Sequence, residues 1–122
     1  MAVGQPQQML LNQFGDIISG AFGTHNVYHV GSSMGDNKKD WRDVDVRVML
    51  DDEEWAKLFG DLEPANCHRS KKWEMLCIVF SHYGRHLTGL PIDFQIQRTK
   101  EANEQYSAKD GCYRSHCGIH HI

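Results

Sequence analysis

The stretch from Asp43 to Leu50 alternates strictly between two kinds of side chain, and this pattern predicts a β-strand with two different faces. One face is apolar and holds Val44, Val46, Val48 and Leu50. The other face begins with two carboxylates and holds Asp43, Asp45, Arg47 and Met49. Neighbouring carboxylates repel each other unless a positive charge lies between them, and a divalent cation is the usual partner. The strand therefore predicts both a buried sheet and a metal site.

The size and charge of the chain narrow the class of protein. A chain of 122 residues predicts one domain with one core, and a formal net charge of −3 argues against a dedicated non-specific nucleic-acid binder. No apolar run approaches the roughly 20 residues of a membrane span, and the N-terminus lacks a secretion signal. The four cysteines are then expected to be reduced. We expect a soluble, cytoplasmic protein without a membrane partner.

Helical and strand periodicities alternate along the chain. Helices are predicted at 6–22, 51–59 and 70–88, with one or two further turns at 101–108. Strands are predicted at 26–30, 42–50 and 91–97, and a loop at 62–69. The pattern indicates an α/β fold of the α+β type, in which a small mixed sheet of three or more strands carries helices packed mainly on one face. Residues 1–110 form the predicted domain, and residues 111–122 form a Cys/His-rich tail.

A third carboxylate lies on the polar face of the last predicted strand, where Asp93 shares its side with Gln95 and Gln97. If this strand neighbours the one that carries Asp43 and Asp45, the three carboxylates converge. Hard oxygen ligands of this kind suit Mg²⁺ or Mn²⁺. Two such ions about 4 Å apart activate an attacking hydroxyl and hold the leaving phosphates of an in-line displacement.

The order of these motifs resembles the DNA polymerase β-like nucleotidyltransferase superfamily. The matching elements are the turn Gly31-Ser32, a ten-residue spacer, the pair Asp43-Val44-Asp45 and the later Asp93. The resemblance implies a minimal nucleotidyltransferase-like domain. Such a domain transfers a nucleoside monophosphate from an NTP to a hydroxyl acceptor and releases pyrophosphate.

The resemblance also implies a role for individual residues. Asp43, Asp45 and Asp93 are the implied catalytic residues and the ligands of Mg²⁺ (or Mn²⁺). The implied nucleotide- and phosphate-binding residues are Gly31, Ser32 and Ser33 in the turn, with Lys38, Lys39, Arg42 and Arg47 as cations that neutralise the triphosphate.

The sequence departs from the family pattern in two ways, and the second of them implies a need for a partner chain. Arg42 stands where many members have serine or threonine, and the chain has no room for an additional helical substrate domain. The resemblance therefore implies a module that acts with a partner chain or as a homo-oligomer. The acceptor is left open among an RNA end, a protein and a small molecule.

Two alternatives remain open at this stage. One is a catalytically inactive module of the same fold that binds nucleotide or a partner protein. The other is a zinc-binding interaction protein organised by the tail, whose ligands would be Cys112, His116, Cys117 and His120. The spacing of these residues is not that of a zinc finger, so a mobile tail that binds metal adventitiously is the competing interpretation.

Overall fold

Helices and strands follow one another through the parts of the chain that the computed structural model describes, which are residues 5–30, 43–105 and 114–116. The helices are α1 (Gln5–Phe22), α2 (Asp52–Phe59), α3 (Lys71–Thr88) and α4 (Thr99–Gln105), with a 3-10 helix at Pro64–Arg69. The strands are β1 (Val27–Val30), β2 (Val44–Leu50), β3 (Ile92–Arg98) and β4 (Arg114–His116). None of the helices described is long and apolar enough to cross a bilayer.

The strands form a mixed sheet in the order β3-β2-β1-β4. Strand β2 lies parallel to β3 and antiparallel to β1, and β1 lies antiparallel to β4. A parallel pair requires a long crossover, and here α2, the 3-10 helix and α3 supply it. The predicted α+β fold class with a small mixed sheet is confirmed.

The main core lies between the apolar face of the sheet and three of the described helices. Phe14 of α1 and Phe94 of β3 are fully buried, and their rings meet edge to face with centroids 6.2 Å apart. Trp55 of α2 and Cys77 of α3 belong to the same cluster. Helix α4 lies on the opposite face, where Ala102 packs with Val30 and Met49 in a second, smaller cluster. This arrangement agrees with helices packed mainly on one face.

Local capping determines where the predicted helices begin and end. The Asp51 carboxylate accepts a hydrogen bond from the Glu54 amide, and the Glu54 side chain accepts one from the Asp51 amide, which is a capping box for α2. Ser70 caps α3 through its hydroxyl oxygen, which accepts a hydrogen bond from the Trp73 amide at 3.2 Å. Gly89 ends α3 with a φ of 71°, in the left-handed region that glycine adopts without strain.

Side chains of α3 cover the outer edge of β3. Helical residues spaced by four or a multiple of four lie along one side of a helix, and here this row includes Trp73, Ser81 and Arg85. Their backbone partners on β3 are Ile96, Phe94 and Ile92, at donor–acceptor distances of 2.9 to 3.4 Å. The unpaired N–H and C=O groups of an edge strand would otherwise need water or another chain. Helix α3 thus fixes the strand that carries Asp93.

The structure differs from the sequence-based expectations in two connections. Residues 64–69, predicted as loop, form a 3-10 helix after Glu63, and the preceding Leu62 carbonyl accepts a hydrogen bond from Trp55 Nε1 at 2.8 Å. Residues 114–116 lie in the predicted tail, yet their backbone forms β4 and pairs with β1. Both features depend on partners elsewhere in the chain, which periodicity alone does not reveal.

Replacement of Gly84 by alanine is expected to destabilise the fold by about 1–3 kcal/mol, because overpacking a core forces rigid neighbours apart. A Cβ at this position would lie 2.9 Å from Phe14 Cζ and 3.0 Å from Ile92 Cγ2. Gly20 in α1 is the matched control, since a Cβ there meets nothing within 4 Å and alanine gains up to about 1 kcal/mol of helix propensity. Urea unfolding of Gly84→Ala, Gly20→Ala and wild type measures the two changes in free energy of unfolding. A Gly84→Ala protein as stable as wild type would contradict the packing described.

Replacement of Ser81 by alanine is expected to cost about 1–3 kcal/mol, because it removes the buried acceptor of the Phe94 amide. Ser81 Oγ lies 2.9 Å from Phe94 N and is enclosed between α3 and β3. His82→Ala, at the exposed neighbouring position, is the control and should change the free energy of unfolding by less than about 0.5 kcal/mol. Equal effects of the two substitutions would show that the hydroxyl is not needed at the strand edge.

Candidate functional site: three carboxylates on the polar face of the sheet

Three aspartates converge where β2 and β3 begin. Oxygen atoms from the carboxylates of Asp43, Asp45 and Asp93 all lie within 4.8 Å of one another. Asp43 is exposed, whereas Asp45 and Asp93 are partly buried. The polar faces predicted from alternation thus meet in space. That these residues bind a metal stays a prediction.

The register of the parallel pair brings the aspartates together. The Val44 amide donates to the Pro91 carbonyl at 2.9 Å, which fixes the start of β2 against the start of β3. Asp45 then lies beside Asp93, and Asp43 immediately precedes the pair. Because side chains alternate between the two faces, a one-residue slip of β2 or β3 would turn the aspartate of that strand towards the core.

Arg47 lies two residues after Asp45 on the same face and contacts the carboxylates from inside the protein. Its Nη2 lies 3.7 Å from Asp45 Oδ1 and 3.5 Å from Asp93 Oδ2. Its Nη1 donates to the backbone carbonyls of Val46 at 3.1 Å and Asp93 at 2.6 Å. The side chain is only 7% exposed, so these contacts hold the guanidinium in one place.

The crowding of charge affects the titration of Asp45. Burial raises the pKa of its carboxyl above the ordinary value, the guanidinium of Arg47 opposes this, and the neighbouring carboxyls of Asp93 and Asp43 raise it further. A carboxyl whose pKa is raised in this way favours either a proton or an additional cation. Three carboxylates within reach of one ion are a donor set that fits Mg²⁺ or Mn²⁺.

A cleft of about 340 Å³ opens beside Asp93, between α3 and β3. Its lining includes Trp73, Arg85 and Gln95. No local sequence pattern places these residues near the aspartates. Gln95 could have been found from its position on the polar face of β3, whereas the approach of Trp73 and Arg85 requires the packing of α3 against that strand.

Most of the other predicted site residues lie outside the described parts of the chain, and their roles stay predictions. For phosphate binding these are Gly31, Ser32, Ser33, Lys38, Lys39 and Arg42. For zinc they are Cys112, Cys117 and His120, while the backbone of His116 pairs with Tyr28 in β4. Arg47 is the one phosphate-binding prediction among the described residues, and it lies against Asp45 and Asp93.

Comparisons with known proteins identify no relative. The chain matches no protein-family model, no curated protein and no solved structure.

The raised pKa of Asp45 predicts a pH-dependent effect of Asp45→Asn in metal-free buffer. A raised folded-state pKa penalises the folded protein at a pH above that pKa, and the penalty disappears below the unfolded value near pH 3.9. The variant should therefore be more stable than wild type at pH 7, and the difference should shrink towards about pH 4. Urea unfolding with EDTA at both pH values measures this.

Asp61→Asn is the control for this experiment, because Asp61 is exposed and lies in the turn after α2. The difference in free energy of unfolding between Asp61→Asn and wild type should be nearly the same at both pH values. An Asp45→Asn protein less stable than wild type at pH 7 would mean that the attraction to Arg47 outweighs burial and carboxylate repulsion.

Proposed function

We propose that this protein is a metal-dependent nucleotidyltransferase that transfers a nucleoside monophosphate from an NTP to a hydroxyl acceptor and releases pyrophosphate. The observation that carries the proposal is the convergence of Asp43, Asp45 and Asp93 within 4.8 Å on one face of the sheet. Isolated acidic pairs are common on protein surfaces. Three carboxylates from two parallel strands, in the order of the family motif, are a much more specific arrangement.

The position of Val30 supports the same proposal. Val30 ends β1 and is paired with Asp45 on β2. The motif Gly31-Ser32 follows Val30 directly in the sequence. The residue that precedes the motif therefore lies beside Asp45 in the sheet. A phosphate-binding turn and a metal site need this proximity to act on one triphosphate.

In the proposed reaction the aspartates hold Mg²⁺ or Mn²⁺, which would neutralise phosphate charge and activate the acceptor hydroxyl. Backbone N–H groups of Gly31 and Ser32 bind the triphosphate. The acceptor oxygen bonds to the α-phosphorus while the bond from that phosphorus to the pyrophosphate oxygen breaks. Asp93, beside the cleft, helps to activate the acceptor by accepting its proton.

Partners and location follow as parts of the proposal. The NTP is the donor, and a partner chain or a second copy of this chain supplies the surface that binds the acceptor, whether an RNA end, a protein or a small molecule. We place the proposed reaction in the cytoplasm, a reducing compartment in which thiols such as those of Cys67 and Cys77 remain free.

Calorimetric titration tests the proposal directly. Each of the four NTPs is titrated into the protein with Mg²⁺ and then with Mn²⁺, and the release of pyrophosphate is followed with water as the acceptor. We expect metal-dependent binding of at least one NTP by wild type and its loss in the double variant Asp43→Asn/Asp45→Asn, which lacks two metal ligands.

The matched control is Asp61→Asn/Glu104→Gln, which removes two acidic groups from exposed positions and should bind like wild type. Binding without pyrophosphate release would establish the nucleotide site, and turnover would then be tested with an RNA end, a protein and a small molecule as acceptors. No binding of any NTP to folded wild type, or equal binding by both double variants, would refute the nucleotide site.

A further inference from the structure

We infer that Arg47 is a built-in counter-ion that competes with the divalent metal for Asp45 and Asp93. The inference rests on the proposed function and adds a property of the same site. In the metal-free protein Arg47 would stabilise the clustered carboxylates, and in the metal-bound protein it would limit how tightly a cation is held.

The contacts of Arg47 support a fixed position rather than a mobile surface charge. Two backbone carbonyls, of Val46 and Asp93, accept hydrogen bonds from Nη1. With Nη1 held there, Nη2 lies 3.5 to 3.7 Å from the carboxylates of Asp93 and Asp45. The Arg47 side chain is 7% exposed, so solvent screens its guanidinium less than it screens a cation on the surface.

The charges of the cluster explain the competition. Three ionised carboxylates and one guanidinium leave two negative charges, which one divalent ion neutralises. A guanidinium does not lose its proton in proteins, so its repulsion of a bound cation persists at every working pH. A second divalent ion would give the cluster a net positive charge until a triphosphate brings its own negative charges. One divalent ion therefore balances the charge of the cluster when no nucleotide is bound.

This role differs from the phosphate-neutralising role that the sequence indicates for Arg47. It also differs from a purely structural role, in which Arg47 orients the carboxylates as ligands. The competitor role and the orienting role predict opposite changes in metal affinity when the charge of Arg47 is removed. Loss of a competitor strengthens metal binding, whereas loss of an orienting contact weakens it.

The experiment is a calorimetric titration of Mn²⁺, without nucleotide, into protein stripped with EDTA. Arg47→Gln removes the charge and keeps an amide that can donate to the backbone carbonyls. Arg47→Met is the second neutral variant if the first does not fold, and Arg47→Lys keeps the charge. We expect wild type to bind one Mn²⁺ and Arg47→Gln to bind Mn²⁺ about tenfold more tightly or better, because an uncompensated carboxylate pair attracts the ion more strongly.

Arg98→Gln is the matched control for the loss of one positive charge. Arg98 lies five residues after Asp93 at the end of β3, where its guanidinium pairs with Glu101 at 2.7 Å. That separation is about 16 Å along a strand, beyond the Debye length of about 8 Å, so Mn²⁺ affinity should change little. Arg47→Lys keeps one positive charge near the carboxylates, so its Mn²⁺ affinity should lie closer to that of wild type than to that of Arg47→Gln.

A second readout is the stability of the metal-free protein. Arg47→Gln should unfold at lower urea concentration than wild type with EDTA, and saturating Mn²⁺ should restore more stability to the variant than to wild type. An Mn²⁺ affinity in Arg47→Gln that equals or falls below that of wild type would overturn the inference and leave the proposed function standing. Absence of Mn²⁺ binding in both proteins would refute the metal site, and the inference with it.

Discussion

The parallel pairing of β2 with β3 is the interaction on which the rest of the structure depends. A single register places Val46 beside Phe94 on the core face and Asp45 beside Asp93 on the polar face. The hydrophobic core and the carboxylate cluster are therefore two consequences of the same backbone hydrogen bonds. Because each face is specified by alternation, the burial of the apolar residues also enforces the convergence of the aspartates.

Helix α3 maintains this pairing from the outside. Its polar side chains satisfy the backbone of β3, and Gly84 allows α3 to approach Phe14 and Ile92 closely. An edge strand that lacked such cover would be open to pairing with another chain. The helix that closes the crossover thus also forms one wall of the cleft beside Asp93. Stability of the sheet edge and access to the site are linked through this one helix.

Like charges are crowded together on the polar face of the sheet, at the end where β2 and β3 begin. Partly buried Asp45 has a raised pKa in spite of a guanidinium 3.7 Å away. Carboxyl groups whose pKa is shifted by specific charged neighbours occur both in structural ion-pair networks and at functional sites. Here the cluster lies where two parallel strands begin and beside a cleft, which supports the proposed functional role. Arg47 places one positive charge beside these carboxylates and so offsets part of their mutual repulsion.

The sequence by itself determined the elements whose causes are local. Alternation identified β2 and β3 together with their polar faces, and the caps at Asp51, Ser70 and Gly89 marked the helix ends, because those hydrogen bonds join residues a few positions apart. Only the tertiary structure decided which strands are neighbours, where β4 pairs and what Arg47 contacts. Arg47 and Asp93 are 46 positions apart, and β4 must reach back to β1. Such contacts follow from how the apolar faces pack together, which no local pattern records.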